Sequence, residues 1–400
     1  MSAGPAARTD GWWGGFVASF ARQGRWLRAN PWDFALLSWL PLLAAALLLW
    51  TFSAGVPREL PIVVVDQDHT AASRQLIRYL DASPGLRLAD QVVQWDEAQS
   101  LLRQRRAFGV VWIPRDFERD LVRGLGTSVQ WFYNGQYQTH VGGMNRDVRA
   151  VVSTYSAGAA LAARSRKGTP MLQAEAQIQP IRLQMVAVYN ENTSYEPFLA
   201  LSLMPAILQI FVALATVTLI GRELKNGTVP AWLAAANGRW SAALAGALAW
   251  PALAFGLQGL LIVAWFGARG WPIEGSIAAV LLGLALLITS MMGFGVLFVG
   301  LTLSLRMAIS VAGLVAAPAF AFSGQGFPLV AMPPLALTWA QLLPLTHYLQ
   351  IQSRHWLGGA PLHYGLTELA ILVLATVVTL VPGYCLLRGR ANAPAAWGKS

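Results

Sequence analysis

Four hundred residues would ordinarily form two or three soluble domains, yet only 12 % are charged, 55 % are hydrophobic and the mean hydropathy is +0.47. One soluble globule does not hide that much apolar surface. The low charge excludes a disordered chain and the single cysteine, Cys385, a disulfide scaffold. A formal net charge of +10 would suit a nucleic-acid binder, so the placement of the charges has to decide.

In chain order, the first feature is an aromatic stretch, Trp12 to Phe20, followed by Arg22, Arg25 and Arg28. Aromatics beside a three-residue-spaced arginine stripe suit a helix lying in the membrane interface, or a plain juxtamembrane anchor. Phe34–Pro57 is then free of Asp, Glu, Lys and Arg, and its dense part, 34–52, is long enough for a span. Signal-peptide cleavage suits it poorly, because Phe52-Ser53-Ala54 puts a bulky Phe where a small residue is needed.

From 53 to 196 the period changes. Strands are expected at Leu60–Val65, Leu86–Val93, Phe108–Ile113 and Val129–Tyr133, and helices at Thr70–Leu80, Asp96–Arg106 and Asp116–Leu125. A long helix over about 136–166 stops at Gly168-Thr169-Pro170, and Arg182–Tyr189 adds a strand on the return. Such alternation implies a small α/β domain. Asp66 and Asp68, at i and i+2 after a strand, fit a turn and helix cap better than a cation site. His69 and His140 lack a nearby third ligand, so no metal site is expected.

Five further uncharged runs follow: Pro197–Gly221, Trp240–Ala268, Gly275–Leu305, Met307–Ser353 and Leu369–Leu387. Met307–Ser353 is too long for one helix and is broken by Pro318, Pro328, Pro333, Pro334 and Pro344. It is read as one span, about 307–322, and an apolar, non-spanning stretch packed on the other helices. The expected fold is a polytopic α-helical membrane protein. It has six transmembrane helices, and an exported (periplasmic) α/β domain is inserted between the first and second.

The charges give the direction. With the N-terminus inside, the inner pieces carry Arg8, Arg22, Arg25, Arg28, Arg222, Lys225, Arg239, Arg306, Arg388, Arg390 and Lys399; the short outer loops carry only Arg269 and Arg354. This bias places both termini in the cytoplasm. The 53–196 segment, with 16 basic and 14 acidic residues, is nearly balanced. The basic character therefore belongs to the inner membrane face, where anionic lipid attracts it, and nucleic acid drops out as a partner.

No catalytic constellation emerges: there is no phosphate-binding loop, nucleophile elbow or His-Glu-x-x-His. Charged groups deep in the spans, which ion-driven carriers use, are missing too. Energy for any transport has to come from a partner.

Three local patterns, together with this layout, resemble the permease subunits of ATP-binding-cassette exporters, specifically the type-two bacterial efflux permeases with a large outer domain. Arg222-Glu223-Leu224-Lys225-Asn226-Gly227-Thr228 is similar to that family's cytoplasmic "R-E-x-x-x-G-T" segment, though Val229 stands where an acidic residue is usual. Phe322-Ser323-Gly324-Gln325-Gly326-Phe327-Pro328, with Met332-Pro333 and Leu343-Pro344-Leu345-Thr346, is similar to its "F-S-G-x-x-F-P … M-P … P-x-T" stretch. Tyr189-Asn190 precedes the second span, with Glu191 in place of the usual Pro.

The resemblance implies a non-enzymatic permease. Residues 1–33 are its interfacial helix, 34–52 its first span, 53–196 its exported domain and 197–400 a five-span permease domain. Within the last, 221–239 is a cytoplasmic coupling segment and 323–357 a non-spanning outer segment. It further implies that Arg222, Glu223, Lys225, Gly227 and Thr228 couple to a cytoplasmic ATP-binding subunit, and that Phe322, Ser323, Gly324, Phe327, Pro328, Pro333 and Pro344 build an outer gate. No cofactor is expected on the chain itself; ATP and Mg are used by the partner. A second permease copy or paralogue, membrane lipid and a periplasmic adaptor protein are the other implied partners, in the bacterial inner membrane. The alternative is a membrane-anchored receptor or assembly protein whose exported domain binds a ligand or partner.

Overall fold

The structure, a computed structural model, describes residues 11–53, 58–104, 106–123, 127–133, 138–166, 194, 196–356 and 358–398. Two compact units result: residues 54–186, and Met1–Ser53 together with Ala187–Ser400.

The first unit is an α/β layer. Strands β1 (Leu60–Asp66), β2 (Leu86–Val92), β3 (Gly109–Ile113) and β4 (Gln130–Tyr133) form one sheet in the order β2-β1-β3-β4. β1 runs parallel to β2 and β3, and β4 antiparallel to β3. The unbroken run Ile62–Val65 makes β1 central, because all four side chains are fully buried and alternate between two faces. Ile62 and Val64 join Leu76, Leu80, Met144 and Val148 on one side, from helices 71–81 and 138–166. Val63 and Val65 join Ala98, Leu101 and Val110 on the other. The expected helix to Arg106 closes at Arg103, because the Arg106 amide turns back to the Leu101 carbonyl at 3.0 Å.

Asp66 is a turn-maker. It is 1 % exposed, accepts from the amides of Asp68 (3.0 Å) and His69 (3.1 Å), and takes the Ser73 hydroxyl at 2.8 Å. Asp68 accepts from the Glu118 amide at 3.0 Å, and Thr70 with Ser73 forms a capping box. The expected stop at 168–170, the strand 182–189 and the Tyr189-Asn190 motif lie outside the described residues.

The second unit is helical. Its helices α1 (Trp12–Ala29), α2 (Pro31–Leu37) and α3 (Trp39–Phe52) come from the N-terminal part. In the remainder, a π-helical turn (Glu196–Ala200) leads into the helix Leu201–Lys225, followed by Val229–Ala235, Trp240–Ala268 and Ile277–Thr302. Leu305–Ala316, Pro334–Leu342, Pro344–His355 and Leu366–Arg390 complete it. Among the described residues, four segments are long and apolar enough to cross a membrane, and α2 with α3, bent by 47°, makes a fifth candidate. The expected span at 307–322 lies two residues earlier, at Leu305–Phe320, and its length is unchanged. The apolar helix ends at Phe320 and measures about 24 Å at 1.5 Å per residue, against a hydrocarbon core of ~30 Å. Pro318, which has no amide to continue the ladder, is the physical reason for that end.

Buried glutamines repair the breaks that prolines make. Pro41 cannot donate to the carbonyl four residues back, Leu37, and Gln258 Nε2 donates there instead at 2.7 Å. Pro205 leaves the Leu201 carbonyl in the same position, and Gln352 Nε2 fills it at 3.2 Å. Gln209 serves the carbonyl of Ala316, the last α-helical residue before the Pro318 turn, at 3.2 Å. All three amides are at most 5 % exposed.

Candidate functional site

The segment 222–228 ends the helix Leu201–Lys225, and its geometry explains its residue types. Gly227 has φ +65°, a left-handed conformation that glycine adopts without a Cβ penalty. Its amide donates to Leu224 O (3.1 Å) and the Thr228 amide to Glu223 O (2.9 Å), the paired bonds of a Schellman stop. The Thr228 hydroxyl also donates to Glu223 Oε2 at 2.5 Å. The chain then turns into the short helix Val229–Ala235.

Arg222 and Glu223 face inward, 4 % and 3 % exposed, while Lys225 is exposed. Their partners come from the N-terminal helices. Arg22 Nη2 donates to Glu223 Oε2 at 2.9 Å, and Arg222 Nη1 to Asp33 Oδ2 at 3.2 Å. Arg222 also donates to Gln23 Oε1, and its guanidinium lies 4.4 Å from the centre of the Trp26 ring. Trp26 Nε1 in turn donates to Asp33 at 2.6 Å. Two arginines thus meet two carboxylates in a closed, charge-balanced knot.

The small residues on α1 let it reach this place. Gly15, Ser19, Gln23 and Leu27 form one buried stripe at i, i+4 spacing. Ser19 Oγ donates to Ala243 O at 2.7 Å and accepts from Trp232 Nε1 at 2.9 Å. A Cβ on Gly246 would stand 2.6 Å from Phe16 O, so only glycine allows the two helices to approach this closely. Gly398, whose amide reaches Leu224 O at 3.0 Å, brings the C-terminal stretch to the same end. The expected interfacial helix is thereby a packed component of the helical unit.

The second expected set sits elsewhere on the unit. Phe322 is half-buried against the main core. Ser323, 3 % exposed, donates to Phe320 O at 2.7 Å and accepts from the Gln325 amide at 3.4 Å, and Gly324 turns the chain at φ +89°. Phe327 is half exposed, Pro328 opens a single 3₁₀ turn, and Pro333 and Pro344 start the helices 334–342 and 344–355.

Comparison with known proteins decides the family. The model for "ABC-2 family transporter protein" matches residues 32–383. The chain belongs to this family. Relatives of this ABC-2 chain include the probable multidrug ABC transporter permease YbhR of Escherichia coli strain K12, and its counterpart in E. coli O157:H7. Each is 24 % identical over 354 residues, covering 87 % of this chain and 92 % of the relative. The chain is accordingly a multi-pass membrane permease, and ABC-2 membership implies a separate cytoplasmic ATP-binding subunit as its partner.

Several residues of the ABC-2 knot escape a sequence reading. Gln23, Trp26 and Asp33 precede Arg222 by some 190 to 200 positions, and nothing local pairs them. Gln258 and Gln352 lie in runs defined by the absence of charge, which hides amides as effectively as it displays arginines. A glutamine facing a proline on a neighbouring apolar segment is the one signal that could have found them.

Proposed function

We propose that this chain is the membrane-spanning subunit of an ATP-driven exporter that moves hydrophobic or amphiphilic molecules out across the bacterial inner membrane. The observation that carries the reading is the knot in which half-buried Arg22 and Asp33 hold buried Glu223 and Arg222, fixing the end of the 201–225 helix to α1 and α2. A push on the turn Lys225–Thr228, exposed at Lys225 and Asn226, is then passed to α1 and to the long helices it packs against, as coupling to a bistable bundle requires. Arg222 and Glu223 act inside the knot, Lys225 faces the ATP-binding subunit, and Gly227 with Thr228 shapes the turn. ATP and Mg are consumed on that subunit, with no cofactor on this chain.

Charge placement supports a cytoplasmic location for both termini and for 221–239, with the α/β unit exported and the short 305–320 helix serving as the sixth crossing. In this arrangement Phe322, Ser323, Gly324, Phe327, Pro328, Pro333 and Pro344 frame an outer gate. Two permease copies or paralogues assemble with two ATP-binding subunits, and the exported unit meets a periplasmic adaptor. The E. coli relative, described as a probable multidrug permease, supports the substrate class.

The test is substrate-stimulated ATP hydrolysis by the reconstituted complex. Stimulation is expected in the wild type and is lost in Gly227→Val/Thr228→Ala, with the permease still in the membrane. Undiminished stimulation in that variant would sink the docking assignment.

A further inference from the structure

A cavity of about 720 Å³ opens in the helical unit beside the π-helical turn Glu196–Ala200, at the far end of the helix from Arg222. Its volume lies within the usual range for a small-molecule site, roughly 300–1,000 Å³. Pro197, Phe198, Leu201, Trp356 and Tyr364 give it an apolar body. Gln325, Ser202, Ser353 and Arg354 supply polar groups. The floor is built around a repaired break, because Gln352, which also lines the cavity, donates to the carbonyl that Pro205 leaves unserved. A π-helical turn next to a proline break commonly marks a functional position in a helix.

The charges select the occupant. Among the described lining residues Arg354 alone carries a charge at neutral pH, and its Nη1 is held by Glu368 Oε1 at 2.6 Å and by Tyr364 O at 2.9 Å. Glu368 lies behind it, with its side chain 8 % exposed against 42 % for Arg354. Among the described residues its second oxygen, Oε2, is buried without a hydrogen-bond partner. An anion that drew Arg354 away would leave this carboxylate buried and uncompensated, a state that proteins avoid. A cation entering the cavity meets Arg354 first and is repelled, while the Glu368 oxygens are sealed from the cavity. That leaves neutral ligands. The serine hydroxyls accept hydrogen bonds while donating to the carbonyls of Phe198 and Gln350, at 2.9 and 3.1 Å, and the Gln325 amide both donates and accepts.

We infer that this cavity binds an uncharged amphiphile, with a hydroxyl- or amide-bearing head at Gln325, Ser202 and Ser353 and an aliphatic or aromatic body against Phe198, Leu201 and Trp356. Calling that amphiphile the transported substrate rests on the exporter reading; the binding site itself does not.

The experiment uses the full chain in lipid nanodiscs without any ATP-binding subunit. Three photoreactive probes share one alkyl-diazirine tail and differ in the head: glucoside, phosphate or trimethylammonium. Cross-linked peptides are mapped by mass spectrometry. The glucoside should label 197–202 and 352–364 saturably, and Ser353→Trp, at an exposed position that fills the mouth, should lower that labelling roughly tenfold or more. Equal or stronger saturable labelling of these peptides by the phosphate or ammonium probe would overturn the neutral class. Labelling that does not saturate, or that survives Ser353→Trp, would overturn the site. A protein that labels as expected but drives no ATP-dependent flux keeps the site and loses the exporter reading.

Discussion

Buried acidic residues do different work in the two units. In the α/β unit, Asp66 is sealed among groups seven residues away or nearer and closes a single turn. In the helical unit, buried Glu223 and half-buried Asp33 are held by arginines about 200 positions distant and tie separate helices together. A buried acid with local partners is a folding device. One with distant partners can transmit displacement, because moving either helix strains the pair.

Breaking the long-range pair has the largest expected effect. Glu223→Ala strips Arg22 and Thr228 of their partner and leaves Arg222 in the buried site. About 3–5 kcal/mol of stability should be lost, visible as a lower thermal midpoint in detergent, and coupling to the ATP-binding subunit should fall with it. Asp66→Ala removes the acceptor of three hydrogen bonds at the end of β1 and should cost roughly 2–3 kcal/mol. Hydrogen exchange in the intact chain should accelerate over 60–77 while 201–225 stays protected. Simultaneous acceleration in both units would abolish the contrast drawn above.

The proline repairs give a sharper, smaller test. Gln258→Leu withdraws the donor from the Leu37 carbonyl and should destabilise by about 1 kcal/mol, in the range of intramembrane polar contacts. Pro41→Ala returns a backbone amide to that carbonyl, so Gln258→Leu should cost measurably less in the Pro41→Ala background. Additive effects would mean that Gln258 does not compensate the proline. Thr70→Ala, which removes a helix cap and the hydroxyl that donates to Asp68 Oδ2 at 2.5 Å, should cost about 1 kcal/mol and act on the α/β unit alone.

The same contrast explains what the sequence makes legible. Ile62–Val65, Thr70 with Ser73, and the helical spacing of Leu76, Ile77 and Leu80 are local patterns, and strands and helices appear within a few residues of where they predict them. The Arg222–Thr228 motif likewise carries its own Schellman geometry in Gly227. Its inward-facing side is not written locally, because burial of Arg222 and Glu223 depends on where α1 packs. Counting charge locates the apolar runs but places the 307–322 helix two residues late, because its regular part gives way at Pro318. The cavity at Gln325 and Gln352 joins residues from two separate runs and from the segment that follows the second, and has no sequence pattern of its own.

Inverted membrane vesicles holding this chain and its ATP-binding subunit test export most directly. A tritiated uncharged amphiphile is supplied outside the vesicles, on their exposed cytoplasmic face, and its accumulation in the lumen is followed. ATP-dependent uptake that disappears in Glu223→Ala, and in a hydrolysis-dead ATP-binding subunit, is the predicted result. Uptake that is indifferent to ATP, or equal in vesicles lacking the chain, would contradict the account.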